Sequence, residues 1–114
     1  MIKKKMGVVS PEKNNRSMFW IPINLGFART MKKVKGEYLG EYNGLHLVTH
    51  FDEDISMHVV SEMSTGYGIA TAFKMYFAIE KAKRRIDKNS DQIGLWVKTT
   101  NAKYGELNKI ISTK

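Results

Sequence analysis

The fold is decided by the stretch from Tyr38 to Thr49, which reads YLGEYNGLHLVT. Its centre, Asn43-Gly44, is the dipeptide preferred in a two-residue type I′ turn, because both residues take a positive φ at low cost. Strand-like runs flank the turn on each side. The stretch therefore predicts an antiparallel β-hairpin.

The turn also predicts which residues face one another across the hairpin, because register follows from turn type. The expected pairs are Tyr42 with Leu45, Gly40 with Leu47, and Tyr38 with Thr49. This register collects apolar side chains on one face: Tyr38, Tyr42, Leu45 and Leu47, followed by Phe51, Ile55, Met57 and Val59. We expect a helix to cover that face.

The chain beyond the hairpin extends the meander. An acidic tip at 52–54 leads into a returning strand over 55–63, Ser64-Thr65-Gly66 signals a further turn, and 67–71 could form a short strand. From Ala72 to Asp87 apolar residues recur at helical spacing, with Thr71 as the N-cap. The segment 91–112 is typical of an amphipathic helical segment, in one piece or two, because Gly94 and Gly105 each cost about 1 kcal/mol in a helix interior.

The N-terminal part divides at residue 16. Residues 1–16 are polar and cationic, which predicts a flexible basic arm, and 17–114 form the folded domain. Pro22 cannot donate to a ladder, so a strand over 18–25 would lie at a sheet edge or carry a bulge. The segment 27–35 is read as a basic connection with room for one helical turn. The predicted fold class is α+β: a three- or four-stranded antiparallel meander packed on one helix, with a C-terminal helical segment.

The net charge of +8 lies entirely in the first third, because residues 1–36 hold nine cations and one acid, whereas 37–114 hold ten of each sign. Clustered cations attract polyanions, and aromatic rings among them suit unstacked bases. The candidate nucleic-acid-binding residues are Lys3, Lys4, Lys5, Lys13, Arg16, Trp20, Phe27, Arg29, Lys32, Lys33, Lys35, Arg84 and Arg85. The alternative is that the rings belong to the core, that the lysines serve solubility, and that Arg84 and Arg85 complement the helix dipole.

Motifs for catalysis are missing from the sequence. It has no cysteine, no Gly-x-Ser-x-Gly, no phosphate-binding loop and no dinucleotide fingerprint. His50 and His58 could approach each other across a hairpin, but two histidines without a third ligand fall short of a usual metal site. We therefore expect a non-enzymatic protein without metal or cofactor.

The element order over Tyr38–Ile86 resembles in outline the sheet-plus-helix modules with which phage-type integrases grip DNA. We expect a cytoplasmic, nucleic-acid-associated accessory protein, of a kind that a phage or plasmid could encode, which binds phosphate backbone and has no membrane span. The alternative is a protein-binding inhibitor or adaptor that docks through the 18–25 edge strand or through Trp96 and Tyr104. A homodimer through the C-terminal helix is a further possibility.

Overall fold

The computed structural model describes residues 16–25 and 28–108, with side chains at 18–22 and 30–108. The elements are β1 Arg16–Leu25, β2 Ala28–Tyr42, β3 Leu45–Asp52, β4 Met57–Glu62, β5 Gly68–Ala72, α1 Met75–Lys88 and α2 Ser90–Tyr104. The strands form one antiparallel sheet in the order β1-β2-β3-β4-β5. The α+β class is confirmed, but the expected three or four strands are five in the described residues. Of the arm predicted at 1–16, residues 1–15 lie outside the described residues, and Arg16 is the first residue of β1.

The fifth strand is β1, which joins the sheet at its edge, and the segment expected as a basic connection forms the first half of β2. The sequence predicted a basic connection there, because lysines at 32, 33 and 35 weaken strand propensity. The neighbouring strand β1 places apolar side chains opposite this segment: Phe19 pairs with Val34, and Ile21 pairs with Lys32. Cross-strand packing therefore outweighs the local preference of the charged residues.

β1 lies at the edge of the sheet, as Pro22 predicted. The Trp20 N–H donates to Oδ1 of Asn108 at 2.8 Å, so Trp20 turns its backbone polar groups away from β2. Pro22, two residues along, presents its nitrogen to the same outer side, where the missing N–H costs no ladder bond.

The central hairpin forms around the predicted turn, with φ of 51° at Asn43 and 84° at Gly44. Tyr42 pairs with Leu45 and Gly40 pairs with Leu47, as expected. Tyr38 pairs with Val48 and not with Thr49, because a bulge between Tyr38 and Gly40 shifts the register. The bulge moves Tyr38 to the opposite face from Leu47, so this part of the predicted apolar face is wrong.

Two apolar clusters lie on opposite faces of the sheet. The first joins the sheet to α1 and contains Leu39, Leu47, Val60, Ala70, Ala78, Ala82 and Ile86. The second contains Phe19, Val48 and Met63, with Val34 and Tyr38 packed against it. Val60 faces the helix, whereas Val59, which was expected there, pairs with His50 on the other face. The predicted assignment of β4 side chains to the two faces of the sheet was therefore wrong: it is displaced by one residue.

The sheet curls until β1 reaches the turn between β4 and β5. The Asn108 amide donates to the carbonyl oxygens of Trp20 at 2.9 Å and Met63 at 2.7 Å. A Cβ built on Gly66 would lie 2.5 Å from the Trp20 carbonyl oxygen. The segment after α2 thus closes the gap between the edge strand and this turn.

The helices differ from the predicted bounds. α1 begins at Met75 with Lys74 as N-cap, because Ala72 belongs to β5. α2 is a single helix that ends before Gly105, whose φ is 83°, so the two-helix alternative is excluded for 90–104. None of the helices in the described ranges is long and apolar enough to cross a membrane.

Candidate nucleic-acid interface

The structure describes only some of the predicted site residues. Lys3, Lys4, Lys5, Lys13 and Phe27 lie outside the described residues. Arg16 is described by its backbone alone, paired with Glu37, and Arg29 likewise, paired with Asn24. Side chains are described for Trp20, Lys32, Lys33, Lys35, Arg84 and Arg85.

One face of the sheet extends beyond the helix that packs on it. The register continues across the strands from Met18 to Lys35 and from Phe51 to His58. Because His50 pairs with Gly36, Phe51 stands beside Lys35. Trp20 and Lys33 form the next row on the same face. We call this surface the open face and define it as Met18, Trp20, Lys33, Lys35, Phe51 and His58.

The open face shares its side of the sheet with α1. Glu37, two residues after Lys35, pairs with Thr49, and Thr49 pairs with Val60, which is buried under the helix. α1 packs on β4 and β5, and its first residue, Met75, lines a shallow depression of about 170 Å³ with Lys35, Phe51 and His58. In the described residues the helix therefore borders the open face without covering it.

Aromatic rings remain accessible on the open face. Trp20 is 40% exposed and Phe51 is 48% exposed. The Lys33 ammonium lies 5.2 Å from the centre of the Trp20 ring, at cation–π distance. The ring of His58 contacts Phe51 with centroids 5.0 Å apart. Each exposed ring thus has a polar neighbour that holds its position.

The lysines on β2 divide between the two faces. Lys33 and Lys35 are exposed on the open face, whereas Lys32 pairs with Ile21 on the opposite face. Burial lowers the pKa of His50 on that opposite face, and the positive charge of Lys32 lowers it further, against the opposing effect of Asp52. Among the described residues the one ion pair joins Lys83 to Glu80 at 3.5 Å. The charges of Lys33 and Lys35 are therefore not paired with a carboxylate in that part of the chain.

Arg84 and Arg85 lie away from the open face, near the C-terminal end of α1. Arg85 donates to the Ile69 carbonyl oxygen at 2.6 Å, and Lys81 donates to that of Thr71 at 2.8 Å. These two cations thereby cover the outer edge of β5. Arg84 makes no hydrogen bond or ion pair within the described chain. Along the helix axis, Met75 and Arg84 are about 14 Å apart.

Sequence reasoning missed three members of the open face: Met18, Phe51 and His58. Phe51 was expected on an apolar face under the helix, and it does share that side of the sheet, but α1 begins too late to cover it. Lys33 and Lys35 are two positions apart, so in a strand they lie on the same face, and Trp20 lies opposite Lys33. This spacing could have indicated the open face, but only if the first half of β2 had been recognised as a strand.

The histidines do not converge on a metal site in the described residues. His50 and His58 lie on opposite faces of the sheet, because His50 pairs with Val59 and His58 with Phe51. Nδ1 of His46 lies 2.8 Å from the Tyr38 hydroxyl oxygen. No group of three potential metal ligands is present in the described part of the chain.

The outline likeness to integrase modules concerned element order alone, and it did not include β1 or the first half of β2, which also belong to the observed sheet. Two exposed rings and two exposed lysines lie together on the open face. Comparison of the chain with protein-family models, curated proteins and solved structures gives no match.

Proposed function

We propose that this protein binds nucleic acid through the open face, as a non-enzymatic accessory protein that contacts the phosphate backbone. The observation that carries the proposal is the placement of exposed Lys33 and Lys35 on the same sheet face as the half-exposed rings of Trp20 and Phe51. Cations beside flat rings are the combination that sequence-tolerant nucleic-acid binders use.

The type of cation favours backbone contacts. Fifteen of the 19 cations are lysines, which act as hydrated point charges and lack the planar fork that reads base edges. The excess charge of the first third adds a long-range attraction for a polyanion. We therefore expect affinity that depends strongly on salt and weakly on sequence.

The test is a salt titration of binding to fluorescently labelled oligothymidine, read by anisotropy. If six phosphates are neutralised, log affinity falls against log salt with a slope of about −4 on a single strand and about −5 on duplex. The double variant Lys33→Gln, Lys35→Gln should make the single-strand slope shallower by about 1.4. The matched control is Lys98→Gln, Lys103→Gln, which removes the same charge from α2.

Two results would reject the proposal. The first is no binding to either strand type at low salt. The second is an equal change of slope in the β2 variant and in the α2 control, because that result would assign the effect to net charge and not to the open face.

The alternative is a protein-binding role through exposed aromatic residues. Phe73, two residues before α1, is 74% exposed, and Tyr76 and Phe77 in its first turn are also exposed. A partner strand cannot pair with β1 at Trp20, because the backbone N–H and carbonyl of Trp20 are already hydrogen-bonded to Asn108. A stoichiometric protein complex that survives nuclease and high salt would favour this alternative, and light scattering would detect a homodimer through α2.

A further inference from the structure

We infer that the open face takes a single strand in preference to duplex, with one base stacked on Trp20 and another on Phe51. The inference rests on the proposed function and adds the strandedness of the ligand. It starts from the rings, because an exposed aromatic ring on a sheet offers a flat surface to a base only when that base is unstacked.

The two rings flank the strand that carries the lysines. Trp20 lies in β1 and Phe51 in β3, with Lys33 and Lys35 between them on β2. From the spacing of neighbouring strands and of alternate residues along a strand, the two ring positions are roughly 12 Å apart. Each ring therefore serves a different nucleotide, and each nucleotide has a lysine within reach of its phosphate.

The contacts of the free protein already match this arrangement. The Lys33 ammonium lies over the Trp20 ring, 5.2 Å from its centre, so a base that stacks on that ring face displaces the ammonium toward the phosphate of the same nucleotide. Phe51 is held on one side by His58, at an angle of 66° between ring planes, and nearly half of the residue stays exposed. The depression beside Phe51 is bordered by Lys35 and Met75, which gives a base an apolar wall and a cation.

A duplex cannot use these features. Its bases are stacked on one another, so it presents phosphates and groove edges to a protein surface. Reading the major groove requires an inserted helix or two-stranded ribbon, whereas Trp20 and Phe51 project from the face of a five-stranded sheet, in β1 and β3. Duplex would gain only the lysine contacts and would press the exposed rings against sugar and phosphate.

The first experiment uses the intrinsic fluorescence of Trp20. The chain has two tryptophans, so Trp96→Phe leaves Trp20 as the single reporter. Phenylalanine keeps a ring against Tyr67, which Trp96 contacts at 5.2 Å between centroids. Oligothymidine should quench the emission of this variant in a saturable way, and duplex of equal length at the same salt should leave it nearly unchanged.

The second experiment removes the rings and keeps the charges. Phe51→Leu and Trp20→Leu should each weaken binding to oligothymidine by roughly 5- to 150-fold, the loss of one stacked base, with an unchanged salt slope. Phe51→Tyr keeps the ring and should bind like the unmodified protein. The control Leu95→Ala shortens an exposed apolar side chain on α2 and should have no effect.

The possible outcomes distinguish the preference for a single strand from the proposed nucleic-acid binding on which it rests. Equal affinity for single strand and duplex, or unchanged affinity in both Leu variants with their circular dichroism intact, would overturn the inference and leave the proposed function standing. Absence of binding to both ligands at low salt would overturn the proposed function itself. Strong quenching by the single strand together with weakened binding of the Leu variants supports both.

Discussion

At the scale of single residues, Gly66 combines a left-handed backbone conformation with a close approach to β1. Its φ is 77°, and an added Cβ would lie 2.5 Å from the Trp20 carbonyl oxygen. Gly66→Ala should therefore lower the free energy of unfolding by about 2–3 kcal/mol, since it combines backbone strain with a collision against β1. The measurement is a urea unfolding curve.

The matched control is Gly94→Ala. Gly94 lies within α2, and an added Cβ meets nothing within 4 Å. This substitution should raise the free energy of unfolding by about 1 kcal/mol, because alanine is the better helix former. If both alanine variants unfold at the same urea concentration as the parent, the contact between the β4–β5 turn and β1 is not as described.

His50 predicts a dependence of stability on pH. Burial lowers its pKa below 6.5 in the folded protein, so as the pH falls below 6.5 the unfolded chain takes up the proton first. The stability that neutral His50 supports is complete above pH 6.5 and declines below it. In His50→Gln the decline of the urea midpoint just below pH 6.5 should be smaller than in the parent. The same decline in His50→Gln as in the parent would exclude this role for His50.

The limits of prediction from sequence are clear at Tyr38. The Asn43-Gly44 turn predicted the pairs nearest to it correctly, because a two-residue loop determines adjacent register. The error enters at Leu39, where the bulge adds one residue and changes the face of everything before it in β2. Gly40, with φ of 116°, was the available sign of a bulge, but a glycine in a strand does not specify one by itself.

At the scale of elements, the cations of α1 have different roles. Arg85 donates to a carbonyl on the outer edge of β5, whereas Arg84 makes no such bond in the described chain. Arg85→Gln should lower the free energy of unfolding by about 1 kcal/mol, as expected for one lost hydrogen bond. Arg84→Gln should leave it unchanged. Equal stability of the two variants would show that the edge of β5 does not depend on Arg85.

The unrecognised first half of β2 explains why the candidate site was only partly predicted. The sequence identified Trp20, Lys33 and Lys35 by charge and ring type, but it placed the lysines in a connection. A strand sends alternate side chains to opposite faces, so β2 separates Lys32 from Lys33 and Lys35. No local pattern showed this, because the strand is specified by its pairing with β1.

At the scale of the whole molecule, the closure of the curled sheet depends on contacts that sequence patterns do not reveal. Asn108 reaches Trp20 across 88 positions of the chain and bonds to both its N–H and its carbonyl oxygen. An asparagine after a helix predicts no particular partner. The charge asymmetry, in contrast, is visible in composition alone, and the structure adds that Lys33 and Lys35 share an accessible face with two rings.

The most direct test of the central claim is a titration of the ¹⁵N-labelled protein with oligothymidine, followed by amide chemical shifts. The account predicts that the largest changes fall on the open face, at 18–20, 33–35, 51 and 58, with small changes in α2 and around Arg84 and Arg85. Changes that concentrate at the C-terminal end of α1 or along α2, with the open face unaffected, would contradict it.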